Sequence, residues 1–118
     1  MKIELGIWQF VRIMVEAEEN PNGNKLLEAY KETWQDVDST LSELASKDME
    51  EYSAVMMENQ IVLDDVSREN ADTIMEMVSN VIERMGALID DIEDENDLLL
   101  DDLAFEIQGL EQLVDEIS

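Results

Sequence analysis

The sequence predicts an all-α fold, an antiparallel bundle of four to five amphipathic helices. Three observations lead there. Apolar residues recur at spacings of three and four along most of the chain, and one Pro and four Gly leave few places to turn in 118 residues. An apolar share of 45% is enough to build one modest core. The expectation is a single domain over residues 1–118, folded despite its acidity, because disorder from charge needs a chain poor in apolar groups.

The N-terminal element, 2–19, carries two periods. Ile3, Leu5, Ile7, Val11, Ile13 and Val15 alternate as in a strand, whereas Ile3, Ile7, Phe10 and Met14 step as in a helix. No second strand is apparent to pair with it, so helix is the expectation, and a strand would require pairing across a dimer. Asn20-Pro21-Asn22-Gly23-Asn24 then breaks the chain.

From about 25 to 46, Leu26, Leu27, Tyr30, Trp34, Val37, Leu41 and Leu44 fall on one side of a helical wheel, opposite Glu28, Glu32, Asp36 and Glu43. A second helix is expected over 48–66, with Asp48 as its cap and Met49, Tyr52, Met56, Leu63 and Val66 as its stripe. Asn59 interrupts that stripe, either as a buried register-fixing amide or as a wetted edge. A third helix over 70–94, capped by Asn70, carries Ile74, Met77, Val78, Val81, Met85, Leu88 and Ile92, the widest apolar arc. It should be the most buried helix, packed on two sides. The last, 96–117, places Leu99, Leu103, Ile107, Leu110, Val114 and Ile117 in phase.

Charge dominates the functional reading. There are 31 acidic against 7 basic residues, a formal net charge of -24. Such a field repels nucleic acid and anionic membrane and draws in basic proteins and cations. Lys2, Arg12, Lys25, Lys31, Lys47, Arg68 and Arg84 are too dispersed to form the basic patch that direct nucleic-acid binding needs. The absence of Cys and His removes thiol nucleophiles, disulfides, histidine bases and imidazole-containing metal sites, leaving carboxylate chemistry. The apolar N-terminus is interrupted by Glu4 and Arg12 and has no small-residue cleavage site, and no run reaches the ~18 apolar residues of a membrane helix, so a cytoplasmic location is expected.

From Met85 to Ser118 there is no Lys or Arg, so the field is strongest at this end. Asp90, Asp91, Asp94, Asp97, Asp101, Asp102, Glu106, Glu111 and Asp115 supply a candidate partner-binding set. Carboxylates three or four positions apart on a helix rise by about 5–6 Å, comparable to the spacing of backbone phosphates. The plainer role of such a row is a solvated face. Leu98 and Phe105 complete the set: seven positions apart, they lie about 150° from the centre of the last apolar stripe and should point outward among Asp101, Asp102, Gln108, Gly109 and Gln112. An aromatic ring among carboxylates has the layout of an interaction hot spot, unless a further helix or subunit covers it as core.

Other features favour structure over chemistry. Trp8, Phe10, Tyr30 and Trp34 at helical spacing suit a core better than a ligand pocket. The eight Met residues suit core filling better than an adaptable surface. Asp94-Glu95-Asn96-Asp97-Leu98 begins like a calcium loop but lacks its turn Gly and puts Leu98 at a ligand position. Glu69-Asn70-Ala71-Asp72 resembles the ExxD magnesium motif of all-helical nucleotide pyrophosphohydrolases, without that family's paired-Glu motif upstream.

These readings converge on a non-enzymatic protein, with no cofactor, that occupies the basic groove of a nucleic-acid-binding protein. Anti-restriction and anti-CRISPR inhibitors share this physical character as nucleic-acid mimics. The alternatives are a structural or adaptor helical-bundle homodimer, acidic for solubility or high salt, and a carboxylate-only divalent-metal hydrolase.

Overall fold

The computed structural model describes residues 2–91 and 97–117, and the side chains within 2–90 and 104–117. The order is β1 (Ile3–Gly6), α1 (Ile7–Glu19), a 3₁₀ turn (Pro21–Gly23), α2 (Asn24–Ala29), α3 (Lys31–Lys47), α4 (Met49–Glu58), β2 (Gln60–Leu63), α5 (Arg68–Asp91) and α6 (Asp97–Ile117). The protein is mostly helical, with six α-helices and one small antiparallel sheet among the described residues.

The sheet corrects the all-helical expectation. Both periods in the first segment are real but consecutive: Ile3 and Leu5 are buried at strand spacing, and Phe10, Ile13, Met14 and Ala17 at helical spacing. The strand finds its partner within the chain, pairing Ile3 with Leu63, Glu4 with Val62, Leu5 with Ile61 and Gly6 with Gln60. No dimer is needed. The Ile7 amide continues the pairing by donating to the Asn59 carbonyl at 3.0 Å. The expected 48–66 helix therefore ends at Glu58, and Asn59 is an exposed C-cap between helix and strand. Ile61-Val62-Leu63 is apolar and rich in β-branched residues, which favours strand. After it Asp65 takes a positive φ of 53°, a conformation Asp tolerates better than most residues, which turns the chain out of the strand.

The 20–24 break is a capped turn. The Asn20 side chain accepts from the Asn22 amide, and the Gly23 amide donates to the Asn20 carbonyl at 2.9 Å. Gly23 is required by proximity, since a Cβ there would stand 2.4 Å from the Ala17 Cα. The expected 25–46 helix is divided at Tyr30, whose φ of −117° and ψ of 24° leave the helical region. In α3 only Leu41 is fully buried, so this long helix rides on the surface. Asp48 caps α4 as expected, accepting from the Glu50 and Glu51 amides. Asn70 does not cap α5; Ser67 does, its hydroxyl accepting from the Asn70 amide at 3.1 Å.

The core lies between α1, α5, α6 and the inner face of the sheet. Ile74, Met77, Val78, Val81 and Met85 from α5 meet Phe10, Ile13 and Met14 from α1 and Leu110, Leu113 and Ile117 from α6. α5 is packed by α1 and α6 as expected. It is not the most enclosed helix: α1 buries six of its thirteen residues and touches both strands and α2 to α5.

Two consequences are measurable. Gly23→Ala should lower stability by about 2–3 kcal/mol in urea denaturation, since its methyl meets backbone that cannot yield. Gly86→Ala, where nothing lies within 4 Å of the added Cβ, should raise it by about 0.5–1 kcal/mol.

The half-buried Tyr30 hydroxyl supplies a third. Burial raises its pKa above the ordinary 10.0, with a hydrogen bond to Asn70 opposing part of the shift. The folded state then holds this proton more tightly than the unfolded chain. Its contribution is complete below about pH 10 and is lost as pH rises through the folded value. Urea denaturation of Tyr30→Phe should accordingly show a shallower alkaline loss than the parent above about pH 10.

Candidate protein-binding surface

The surface is organised by Trp8, in the first turn of α1. Its indole lies against Gly6 on the same segment and Gly109 on α6, where a Cβ would come within 2.9 Å of the ring. Gln9 joins the same elements, accepting from the Gly6 amide at 2.7 Å and donating to the Gly109 carbonyl at 3.0 Å. Gly109 therefore does not point outward, as the sequence reading supposed; it is the notch that lets the indole reach α6.

Phe105 also packs on this indole, with ring centroids 6.5 Å apart and planes tilted by 33°. It stays 58% exposed. The contact with Trp8 restrains the phenyl ring while it remains open to solvent, so a partner would fix less side-chain freedom on binding it than on binding an unsupported ring. Met57 and Asn59, at the end of α4, line a cleft of about 430 Å³ beside Trp8, Phe105, Gln108 and Gln112.

The acidic candidates separate in the structure. Glu106 is turned inward to Arg12, whose Nη2 donates to its two carboxylate oxygens at 3.1 and 3.3 Å. Glu111 and Asp115 are exposed one turn apart on α6, and Asp90 is exposed near the end of α5. Phe105, Gln108 and Gln112 are also exposed on α6, so from 104 to 117 its outward side carries an aromatic ring and two amides as well as acids. Asp94 lies outside the described residues, and Asp91, Asp97, Leu98, Asp101 and Asp102 lie outside the described side chains.

Sequence reasoning missed the role of Trp8. It is buried, in line with the core assignment, yet it also braces Phe105 and lines two surface concavities. No local signal joins residues 8 and 105. Phe10 and Trp34 are closer to expectation, packing edge to face at 6.0 Å. The methionines divide: Met14, Met77 and Met85 fill core, whereas Met49 and Met57 are exposed.

Most cations are already committed. Lys2, Arg12, Lys25, Lys47, Arg68 and Arg84, six of the seven, form ion pairs within the chain. Glu69 holds Lys25, raising that ammonium's pKa first by its hydrogen bond and then by its charge, while Asp72 holds Arg68 at 3.2 Å. Both carboxylates of the ExxD motif thus neutralise surface cations. No cluster of three or more acids with metal-binding geometry occurs among the described residues. No helix among them is long and apolar enough to cross a membrane.

No family model, curated protein or solved structure matches this chain.

With its cations paired, the protein carries its net charge as largely uncompensated surface repulsion. Salt should relieve it: the screening length falls from about 30 Å at 0.01 M to about 10 Å at 0.1 M. The melting temperature by circular dichroism should rise by about 5 °C or more between about 0.01 and 0.5 M NaCl. Unchanged melting would mean that the acids are spaced too widely to destabilise the fold.

Proposed function

We propose that the protein is a non-enzymatic, acidic, protein-binding inhibitor that works in the cytoplasm by occupying the basic groove of a nucleic-acid-binding protein. The observation that carries this reading is Phe105: an aromatic ring in contact with the buried Trp8 yet largely open to solvent, on a helix whose basic residues number none. Charge and apolar contact then have separate tasks. The net charge of -24 steers a basic surface toward the protein and displaces nucleic acid from it. Phe105 supplies contact that a phosphate backbone lacks, and aromatic anchors of this kind dominate binding energy at interfaces. Glu111 and Asp90 are exposed where Arg and Lys of a partner can reach them, Asp115 is exposed one turn beyond Glu111, and Glu106 serves the fold through Arg12. Pairing of β1 inside the chain takes away the strand-based reason for a homodimer.

The test is capture of partners from host lysate at about 0.1 and 0.5 M salt, followed by mass spectrometry, with Phe105→Ala and a Glu111→Gln, Asp115→Asn double variant alongside. One dominant nucleic-acid-binding protein should be retained, with affinity about 30-fold weaker for Phe105→Ala, the loss expected at a hot spot of about 2 kcal/mol. The double variant should bind more weakly at low salt and lose less when salt is added. Capture of many basic proteins, equally by all variants and released completely by salt, would refute the proposal.

A further inference from the structure

A second concavity, of about 500 Å³, adjoins the Phe105 cleft at Trp8 and runs along α1. On α1 it is lined by Trp8, Val11, Val15 and Glu19, a row about 16 Å long, or three helical turns. Met56 and Met57 flank it from α4, and Met85 and Leu88 from α5. Val15, Met57 and Leu88 are three of the six large apolar side chains left exposed among the described residues, and this groove gathers them together. Exposed apolar surface concentrated in one concavity marks a binding site more often than the same groups scattered. The two cations in its lining are already satisfied, Arg12 by Glu106 and Arg84 by Glu16 and Glu19, so the groove offers an anion no free positive charge.

We infer that this groove seats an amphipathic basic helix of the partner, about three turns long, its apolar ridge on Val15, Met57 and Leu88 and its Lys and Arg held by the net negative charge of the protein. The inference rests on the proposed function and names the element of the partner that is recognised. Three features select this occupant. The groove matches a short helix in length, and such grooves take residues at i, i+3 or i+4 and i+7. Methionine walls adapt to different apolar ridges because the thioether side chain is unbranched and polarizable. The charge of the whole protein, -24, selects a basic segment over an acidic one of the same shape.

The probe is a synthetic 14-residue helix of Leu and Lys with Leu at i, i+3, i+4 and i+7, compared with a Leu/Glu twin and with the Leu/Lys composition reordered to strand period. Binding to the full chain is followed by carbon-13 methyl resonances of Met56, Met57 and Met85, and by affinity for Val15→Asp and Leu88→Asp. Each of these variants adds an acid, which strengthens purely electrostatic attraction to a basic peptide, so loss of affinity isolates apolar seating. Both positions are exposed, and circular dichroism should be unchanged. Shifts at all three methionines, with at least tenfold weaker binding to each variant and none to the Leu/Glu twin, support the inference. Unmoved methionine methyls, full affinity of either variant, or equal binding of the reordered or acidic peptide would overturn it. The two readings fail separately: a captured partner retained by Val15→Asp but lost by Phe105→Ala removes the helix groove and leaves the inhibitor, and the reverse pattern does the opposite.

Discussion

The fold depends on where α1 is made to start. Two four-residue strands far apart in sequence, Ile3–Gly6 and Gln60–Leu63, pair over four positions, and the Ile7 amide then bonds the Asn59 carbonyl. This leaves the chain no freedom at the strand-to-helix junction: the alternation ends at Gly6 and the helical phase begins one residue later. A two-stranded ribbon is marginal alone. Here its inner face is covered by core, with Ile3, Leu5 and Leu63 buried in it. With its start fixed, α1 presents Phe10, Ile13, Met14 and Ala17 to the interior and Val11 and Val15 to the groove.

The same helix carries the charge problem. Glu16 is buried, and its carboxylate is met by Arg84 from α5, which also reaches Glu19 at 3.2 Å. A buried ion pair is a poor source of net stability, but removing one partner strands a charge and is costly, so the pair fixes α5 against α1. Arg12 does a related, more exposed task between α1 and α6. In a chain so short of cations, placing both arginines of this region at helix junctions binds packing to electrostatics.

How much of this could be read from the sequence follows from the range of each cause. Helical phase is local, and so the inward positions Leu26, Leu41, Ile74, Val78, Val81, Leu110 and Ile117 were legible, as were the Asp48 cap and the Asn20–Gly23 turn. The strand partner was not, because Ile61-Val62-Leu63 also fits the end of a helical stripe, and only pairing with Ile3–Gly6 decides between them. Division of the second segment at Tyr30 had no composition signal, since neither Gly nor Pro stands there. At the candidate site, the outward position of Phe105 was legible from angle alone. Its brace was not, because the contact between residues 8 and 105 depends on the Gly109 notch and the Gln9 bridge, both tertiary features.

Acid content by itself separates poorly between a solvated surface and a surface made to bind, because both place carboxylates outward at helical spacing. The arrangement of apolar groups is the more discriminating property. A protein made acidic for solubility has reason to scatter or cover its large side chains. Here Phe105 is held open on a braced support, and Val15, Met57 and Leu88 are gathered in one groove that shares Trp8 with it. Exposing such groups in water is unfavourable by roughly 25 cal/mol for each Å² left unburied, and nothing in helical phase requires it at Phe105, which stands on the solvent side of α6. In the proposed mode of action, the charge supplies attraction over distance and the clustered apolar side chains supply what is gained on contact.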